Sequence, residues 1–390
     1  MAEAFIVAVA RSAGGKRNGR LAGLHPADLA GKVLNGLLSS IDADPALIED
    51  VIMGCAGPAG EQGCNIARNA VLASGLPESI PATHVDRQCG SGQQALHFAA
   101  ATVMSGQMDI VIAAGVESMT RVPIGMPWNL PAEHGYGHYK SPGIEARYPG
   151  VRFSQFAGAE MMAQKFGFDR DTLDRYALET HRRAAAATTA GKFVAEIVPI
   201  EVATPEGETI LHTADEGIRF DATLEKIGGV KLLQEGGVVS AATSSQICDG
   251  AAALMVMNEA GLKATGATPL ARIHQMTVLG HDPVIMLEAP IPATEKALQK
   301  AGLSIADIDL YEVNEAFAPV PLAWLQSVGG DPERLNVHGG AIALGHPLGA
   351  SGAKLMTTLV CALHDRGGRY GLQTVCEAGG MANVTIVERL

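Results

Sequence analysis

The sequence predicts an α/β protein in which largely parallel strands are covered by helices on both faces. Short segments rich in aliphatic residues are typical of buried strands. Six of them occur in the chain, at 6–10, 51–53, 110–114, 308–313, 372–376 and 384–387. Segments with helical periodicity separate them, which is the alternation expected of an α/β fold. The chain has 390 residues, enough for two or three structural units at about 150 residues each.

Three helices can be placed from the sequence. One is predicted at 28–41 from the spacing of its leucine, valine and isoleucine residues, with Asp28 as its N-terminal cap. A second, at 171–190, is rich in alanine and is expected to stop at Gly191, because glycine commonly follows a helix end. A third is predicted at 93–104, directly after a glycine-flanked turn.

The two ends of the chain resemble variations on one unit. At 83–115, and again at 335–380, a strand leads into a glycine-rich turn with a Cys or His, then a helix of small residues, then another strand. We interpret this as an internal duplication. The stretch at 119–250 breaks the pattern with many Gly, Pro, His and Tyr residues, and long irregular segments are usually functional. The predicted division is an N-terminal half at 1–118 plus 251–268, an inserted loop domain at 119–250, and a C-terminal half at 269–390.

Composition excludes several classes of function. The net charge is −12 and no basic run occurs, which argues against nucleic acid or an anionic membrane as a partner. No stretch offers about 18 consecutive apolar residues, so a membrane span is not predicted. The first basic residues follow the apolar start, which is the wrong order for a secretory signal. Six scattered cysteines without a C-x-x-C pair fit reduced thiols, so we expect a cytoplasmic protein.

Cys89 is the first candidate for chemistry. It precedes the glycine pair Gly90 and Gly92 and the helix predicted at 93–104. A thiol at a helix N-terminus faces unpaired N–H groups and the positive end of the helix dipole, both of which favour the nucleophilic thiolate. The alternative stays open at this point, since cysteine is often buried as a small hydrophobic residue.

His346 is the second candidate. It lies between Gly345 and Pro347 in a glycine-dense turn ahead of a helix. Imidazole is the side chain best suited to moving protons near neutral pH. A histidine that caps a helix is the structural alternative. A phosphate loop is excluded because the segment has neither the G-x-G-x-x-G pattern after a strand nor a Walker lysine.

Three further polar residues follow predicted strands. Cys376 closes an aliphatic strand and precedes small residues, a pattern that by itself favours a core position slightly over a functional one. Asn314 and Glu315 follow another strand. Open α/β sheets place their sites at the carboxyl ends of parallel strands, so these side chains are candidates for the same site. The histidines lack the spacing of a zinc site on a helix, and no metal is predicted.

Four segments of the chain, taken together and in order, resemble the thiolases, which are acyl-CoA C-acyltransferases that cleave or form 3-ketoacyl-CoA. The segments are the nucleophile region around Cys89, the N-E-A-F box at 314–317, the G-H-P-L-G loop at 345–349, and the Cys-Glu-Ala-Gly-Gly segment at 376–380. The intervening chain agrees as well, so the resemblance covers essentially the whole sequence. It implies a five-layered αβαβα fold made of two duplicated halves with an inserted loop domain.

The resemblance also implies the role of each matching residue. Cys89 would be acylated, His346 would activate it, and Cys376 would act as acid and base at the α-carbon of the second substrate. Asn314 would hold a water that, with His346, stabilises the thioester enolate. The second oxyanion hole would consist of the backbone N–H groups of Cys89 and Ala378, where charge develops on a carbonyl oxygen.

The binding partners follow from the same resemblance. Ser245 matches the serine that contacts the CoA chain, and Phe317 lines the same tunnel. CoA and acyl-CoA thioesters are the expected substrates, with no further cofactor. A homodimer or, as a dimer of dimers, a homotetramer is expected, and exposed strand edges in a protein rich in aliphatic residues fit such assembly.

Some residues depart from the thiolase pattern. Ala378 stands where a glycine triplet usually begins, and it would be strained if that position required a positive φ. Glu377 places a charge beside Cys376, where like-charge repulsion would raise the thiol pKa. Asp86 replaces the more usual Asn before the nucleophile. The segment at 154–160 lacks the His-Met found in many short-chain members, which argues against strict acetoacetyl-CoA specificity.

Two other functions compete with a thiolase. A ketoacyl synthase-like condensing enzyme shares the architecture but uses Cys-His-His or Cys-His-Asn, and Cys376 argues against it. A non-catalytic CoA- or lipid-binding relative would have no use for two thiols and an imidazole together. The sequence leaves open the acyl chain length, including a steroid or branched chain, and the direction of the reaction.

Overall fold

Twelve strands and thirteen helices make up the described part of the chain, residues 2–204 and 207–390 of a computed structural model. The strands are β1 Phe5–Arg11, β2 Gly15–Lys16, β3 Asp50–Gly54, β4 Ala82–Val85, β5 Ile110–Ser118, β6 Ile200–Ala203, β7 Thr209–His212, β8 Cys248–Met257, β9 Ala271–Gly280, β10 Leu310–Val313, β11 Tyr370–Glu377 and β12 Met381–Arg389. The helices are α1 Pro26–Ser39, α2 Ile66–Leu72, α3 Ser91–Ser105, α4 Met126–Glu133, α5 Pro142–Arg147, α6 Gln155–Phe166, α7 Arg170–Thr189, α8 Leu224–Gly228, α9 Glu259–Thr265, α10 Pro290–Ala301, α11 Pro319–Val328, α12 Ala341–Leu344 and α13 Leu348–Arg366.

The order of the strands shows the internal duplication. Nine strands follow one path, β10-β11-β12-β9-β1-β8-β5-β3-β4, and β2 pairs with β8. Within it, β3-β5-β8-β1 and β10-β11-β12-β9 have the same order, each with one parallel pairing followed by two antiparallel ones. The two sets meet where β1 touches β9 through only two residue pairs. The predicted duplication is therefore confirmed.

Five layers result from the way the helices cover these two sets of strands. α3 and α13 lie against each other in the middle and contact strands of both halves, while α1 and α2 cover the first half and α10 and α11 the second. Glycines allow the two central helices to approach closely, since a Cβ atom added to Gly352 would overlap the backbone of Gln93. The αβαβα arrangement expected from the resemblance is confirmed, and the central helices are buried along most of their length.

The strand directions differ from the expectation of a largely parallel sheet. Only three pairings in the described part of the long path are parallel, β3 with β4, β3 with β5, and β10 with β11. The others are antiparallel, including both partners of β8. A strand buried on both faces is aliphatic in either direction, so the apolar runs carry no information on direction.

The predicted helices are present with small corrections at their ends. α1 begins at Pro26, and the Nδ1 of His25 accepts a hydrogen bond from the backbone N–H of Ala27 at 3.2 Å. The assignment of Asp28 as the cap is therefore wrong, and that residue lies in the first turn. α7 ends at Thr189, and Gly191 follows with a φ of +70°, as a terminating glycine does.

The chain between β5 and β8 contributes no strand to the long sheet path among the residues described. It forms the helices α4 to α8 and the separate β6-β7 hairpin. α6 lies against α11, and α7 lies against α8 and α12, so this segment covers the second half near the ends of its strands. None of the helices in the described residues is long and apolar enough to cross a membrane.

Candidate active site

A tight turn between β4 and α3 presents Cys89. Gln88 has a left-handed backbone with a φ of +51°. Ser91 holds the turn, because its Oγ accepts a hydrogen bond from the backbone N–H of Arg87 at 2.9 Å and donates one to the carbonyl of Gln88 at 2.6 Å. The sulfur of Cys89 is thereby fixed just ahead of the first turn of α3.

The surroundings of Cys89 combine burial with two converging N–H donors. The residue is only 7% exposed. Burial raises the pKa of its thiol to about 12, the charges of Glu377 and Glu117 add to this, and the backbone N–H groups of Cys89 and Ala378 act in the opposite direction. The expectation that the helix dipole maintains a standing thiolate is wrong, because burial outweighs it. The free thiol keeps its proton and needs a base.

Ala378 presents its N–H without backbone strain. The left-handed positions in this turn are Gly379, with a φ of +87°, and Gly380, with a φ of +75°, whereas Ala378 is not among the residues of positive φ. A Cβ atom is therefore tolerated where thiolases usually carry the first glycine of the triplet. The strain considered for this departure does not arise.

Cys376 is the last residue but one of β11 and is almost completely buried. Burial raises the pKa of its thiol well above the ordinary value, and the charges of Cys89 and Glu377 raise it further. Because a charge on Cys89 is felt at Cys376, the two thiols form one electrostatically coupled site. Ionisation of one thiol therefore opposes ionisation of the other.

His346 is held in the loop between α12 and α13. Its backbone N–H donates to the carbonyl of Gln246 at 3.0 Å, and its Nδ1 lies 2.5 Å from the Oγ of Ser351. The hydroxyl of Ser351 donates to the carbonyl of Pro347 at 3.0 Å, so the proton between Ser351 and the imidazole belongs to Nδ1. Nε2 then carries the lone pair, which faces the Nδ2 of Asn314. Burial lowers the pKa of His346 to about 3, so the ring is a neutral base.

Asn314 lies between the strand that carries Cys376 and the imidazole of His346. It follows β10, and its backbone N–H donates to the carbonyl of Thr374 at 3.0 Å, which fixes it two residues from Cys376 on the neighbouring strand. Its Nδ2 lies 3.4 Å from the Nε2 of His346, while its Oδ1 is buried without a partner. An amide with a free oxygen beside an imidazole can position a water molecule.

Glu315, the other polar residue at this strand end, has a structural role. Its carboxylate accepts hydrogen bonds from the hydroxyls of Tyr176 and Thr180, from Nδ2 of Asn336 and from the backbone N–H of Ile342. Every one of these donors is part of the protein framework around α12. The carboxylate therefore fastens the segment ahead of His346 and has no capacity left for a substrate.

Glu117 is a functional position that the sequence analysis missed. It is fully buried near the end of β5, and its carboxylate accepts from the backbone N–H groups of Ala56, Gly57 and Gly349 at 2.8 to 3.1 Å, and from Nε2 of Gln62 at 2.6 Å. Gly349 belongs to the loop that carries His346. Glu117 thus ties that loop to the first half, although no recognised motif marks it.

Ser245 and Phe317 are brought together beside the base. The backbone N–H of Ser245 donates to the carbonyl of Ala316 at 2.9 Å. The ring of Phe317 meets the ring of Phe156 edge to face, with centroids 5.7 Å apart. Phe317 thereby contacts α6 of the segment between β5 and β8, and Ser245 itself belongs to that segment.

A cavity of about 500 Å³ opens next to these residues. Arg219 and Lys226 supply positive charge to its wall, and Gln246 separates it from His346. The sequence analysis did not single out the two cations, because single basic residues in an irregular segment carry no distinguishing pattern.

Among residues 2–204 and 207–390, no three His, Cys, Asp or Glu side chains converge in a way that could hold a metal ion.

Comparison with known families agrees with this geometry. Residues 4–260 match the N-terminal domain of thiolases, and residues 267–389 match the C-terminal domain. The chain belongs to the thiolase family. It is thus an acyl-CoA C-acyltransferase, and the ketoacyl synthase alternative is set aside because both matches are to thiolase domains.

Individual thiolases resemble the chain over its full length. It is 49% identical to the steroid 3-ketoacyl-CoA thiolase FadA6 of Mycobacterium tuberculosis, covering 100% of this chain and 95% of that one. It is 39% identical to a 3-ketoacyl-CoA thiolase of Idiomarina loihiensis, with 97% and 96% covered. The crystal structure of the acetyl-CoA acetyltransferase of Bacillus anthracis superposes with a TM-score of 0.91 at 33% identity, covering 100% and 99% of the two chains. Human mitochondrial 3-ketoacyl-CoA thiolase gives 0.90 at 34% identity, with the same coverage.

Proposed function

We propose that this thiolase cleaves 3-ketoacyl-CoA with CoA, or runs the reverse Claisen condensation, through an acyl group carried on Cys89. The observation that carries the proposal is the convergence of two backbone N–H groups on a buried thiol that is coupled to a second thiol. Such donors suit a thioester because negative charge develops on its carbonyl oxygen.

In the first step, Nε2 of His346 takes the proton of Cys89, and the sulfur attacks the C3 carbonyl of the substrate. The oxyanion is held by the N–H groups of Cys89 and Ala378. As the C2–C3 bond breaks, its electron pair forms the enolate of acetyl-CoA, which Cys376 protonates at C2. Acetyl-CoA leaves, and the shortened acyl group stays on Cys89.

In the second step, the Cys376 thiolate takes the proton of an incoming CoA thiol. The CoA sulfur attacks the acyl group on Cys89, and the shortened acyl-CoA leaves while Cys89 recovers a proton from His346. The enolate of the first step is stabilised by His346 together with a water held by Asn314. Loss of one such donor from an oxyanion hole typically lowers the rate by about 10² to 10³-fold.

The cavity beside His346 supports binding of the CoA moiety. Arg219 suits the phosphates of CoA, whereas Lys226 on the same wall is paired with Asp221. Ser245 adjoins Gln246, which lines the cavity. Replacing Arg219 with Ala is expected to raise the KM for CoA with little change in kcat, since the side chain is remote from the thiols. Equal losses in kcat and kcat/KM would contradict this assignment.

For the acyl group, we propose a bulky or ring-bearing 3-ketoacyl chain in preference to acetoacetyl-CoA. Two observations support it, the 49% identity to a relative named as a steroid 3-ketoacyl-CoA thiolase and the absence of His-Met in the segment at 154–160. A panel of 3-ketoacyl-CoA thioesters from C4 to C16, with one ring-bearing substrate, tests it. A higher kcat/KM for acetoacetyl-CoA than for every larger substrate would contradict the proposal.

The activity itself is tested by incubating the protein with each 3-ketoacyl-CoA and free CoA and following the loss of magnesium-enolate absorbance. Intact-mass spectrometry after acetyl-CoA should show one acetyl group, located on Cys89. A protein that binds CoA but cleaves no substrate in the panel would instead support the non-catalytic binding alternative.

We also propose a cytoplasmic homodimer or dimer of dimers. β4 ends the long strand path, pairs only with β3 among the described residues, and leads directly into the turn with Cys89. A second copy that pairs along this edge would satisfy its open backbone groups and brace that turn. A monomer of about 40 kDa by light scattering at micromolar concentration would contradict the proposal.

A further inference from the structure

Glu377 is a buried carboxyl group that the proposed reaction does not use. It ends β11, its side chain is completely buried, and neither of its carboxylate oxygens has a hydrogen-bond partner. The carboxyl group lies directly against Gly90, because a Cβ atom added to Gly90 would overlap Oε1 of Glu377. It therefore sits behind the turn that presents the nucleophile.

The alternation of side chains along β11 separates the carboxyl from the neighbouring thiol. Cys376 and Glu377 are consecutive, so their side chains point to opposite faces of the strand. Val375, which shares the face of Glu377, packs with Cys89. Cys376 instead packs in the core of the second half together with Phe317, which lines the substrate side. Glu377 thus acts on the nucleophile from beneath and does not reach the substrate.

Few groups around Glu377 can compensate a charge. Arg87 and Cys89 face it from the turn before α3, Cys376 adjoins it on its own strand, and on β12 the backbone N–H of Asn383 faces it without the alignment of a hydrogen bond. Arg87 forms no ion pair with it, and the Nε of Arg87 is itself buried without a partner. A charged carboxylate here would be uncompensated, which strongly favours the protonated form.

The ionisation state of this carboxyl bears on the reacting groups. Burial raises the pKa of Glu377 to about 8, although Arg87 lowers it. The group is therefore mostly neutral at pH 7 and charged above pH 8. Once charged, it raises the pKa of Cys89 and adds negative potential next to the N–H of Ala378, where the oxyanion forms.

We propose that Glu377 is a positioning residue that must hold a proton during acyl transfer. Its neutral carboxyl supports the Cys89–Gly90 turn, and its ionised form opposes both the Cys89 thiolate and the oxyanion. The proposal rests on the proposed function, since it acts through acylation of Cys89. It makes the rate of acylation depend on pH through a residue that takes no part in the bond changes.

The test is the single-turnover rate of Cys89 acetylation by acetyl-CoA across the pH range, in the wild type and in Glu377→Gln. We take the ratio of the mutant rate to the wild-type rate at each pH. The pH dependence that arises from ionisations common to both proteins cancels in this ratio. We expect this ratio to be near one at about pH 6.5 and to rise to about tenfold at about pH 9.5, the effect of one pKa unit on Cys89. Glu295→Gln, at an exposed position of α10, removes the same charge elsewhere and should keep the ratio near one.

Other outcomes separate the two proposals. A ratio for Glu377→Gln that does not change with pH would overturn the role of Glu377. Glu377→Asp keeps a carboxyl group that can ionise, so its rate should still fall at high pH relative to the rate of Glu377→Gln. If Glu377→Gln does not fold, Glu377→Met takes its place. Absence of any acetyl-enzyme in the wild type at all pH values would contradict the proposed function instead.

Discussion

The two halves of the molecule place equivalent elements at the site and equip them differently. α3 in the first half and α13 in the second occupy the same place in the duplicated order, and each follows a glycine-rich turn. The turn before α3 carries Cys89, and the turn before α13 carries His346. Because the two helices pack against each other, duplication brings the two turns to a single site. In the proposed mechanism, the first turn supplies the nucleophile and the second supplies the base.

The same comparison holds for two buried glutamates at the ends of equivalent strands. Glu117 in β5 and Glu377 in β11 are both completely buried. Glu117 accepts hydrogen bonds from five donors, the thiol of Cys55 among them, whereas Glu377 has none. A carboxylate with donors on all sides fixes the backbone around it, while one without donors responds to pH. Burial alone therefore does not distinguish the roles of these two carboxyl groups. The number of hydrogen-bond donors around each one does.

The largest expected effect is that of Cys89→Ala. It removes the only sulfur that the two N–H donors face, so no acyl-enzyme can form on this turn. We expect complete loss of thiolysis and of covalent labelling by an acyl-CoA, with the fold retained, since the side chain is small. Intact-mass spectrometry is the measurement, and an acyl-enzyme that persists in Cys89→Ala would place the nucleophile elsewhere.

His346→Ala tests the turn of the second half. The variant loses the base for a thiol whose pKa is about 12, and it also loses a donor to the enolate. We expect kcat/KM to fall by about 10³-fold or more, with losses that are not additive with those of Asn314→Ala because the two side chains act together. Additive losses in the double variant would show that Asn314 and His346 work independently.

Cys376→Ser separates the two thiols. The variant should still accept an acetyl group from acetyl-CoA onto Cys89, although more slowly than the wild type, because the departing CoA sulfur loses Cys376 as its proton donor. It should fail to condense, because a serine hydroxyl is far too weak an acid or base to exchange the α-proton near neutral pH. Acetylation is followed by mass spectrometry and proton transfer by α-deuterium exchange. Exchange at the wild-type rate, or absence of acetylation, would reverse the assigned roles.

Motifs and periodicity predicted the duplicated fold and the residues that the structure gathers at the site, because both depend on local sequence. Cys89 and His346 were recognisable from the glycines that flank them. The direction of the strands could not be predicted, since a buried strand such as β8 is aliphatic whether it runs parallel or antiparallel to its neighbours. The raised pKa of the Cys89 thiol was not predicted either, because residues from the second half of the chain bury Cys89. Glu117 was missed for the same reason, as its donors come from segments far apart in sequence.

Glu117→Gln tests the satisfied member of the glutamate pair. An amide keeps the shape of the side chain but turns one acceptor oxygen into a donor, which then faces backbone N–H groups. Loss of buried, charge-assisted hydrogen bonds is expected to lower the free energy of unfolding by about 2 to 3 kcal/mol. The loop of His346 should loosen, so that kcat falls about tenfold without a new pH dependence. Urea unfolding and steady-state kinetics measure the two effects, and a variant with wild-type stability would contradict the bracing role.

The last expected effect is that of Glu377 on stability, and it depends on pH. In the unfolded chain, a glutamate has a pKa of about 4.3, whereas in the folded protein burial raises the pKa of Glu377 to about 8. The folded state therefore binds this proton more tightly, and its stability falls as the pH rises from the unfolded value through the folded one. Glu377→Gln removes this dependence, so the difference in unfolding free energy between the variant and the wild type should grow across that window. The growth is on the order of 5 kcal/mol at most, and the difference levels off above the window. Glu117→Gln should show a smaller growth, because the hydrogen bonds to Glu117 offset part of the rise in pKa that its burial causes. A constant difference between Glu377→Gln and the wild type from pH 5 to 9 would mean that Glu377 ionises in the folded protein as easily as in water, and the contrast between the two glutamates would then be one of position alone.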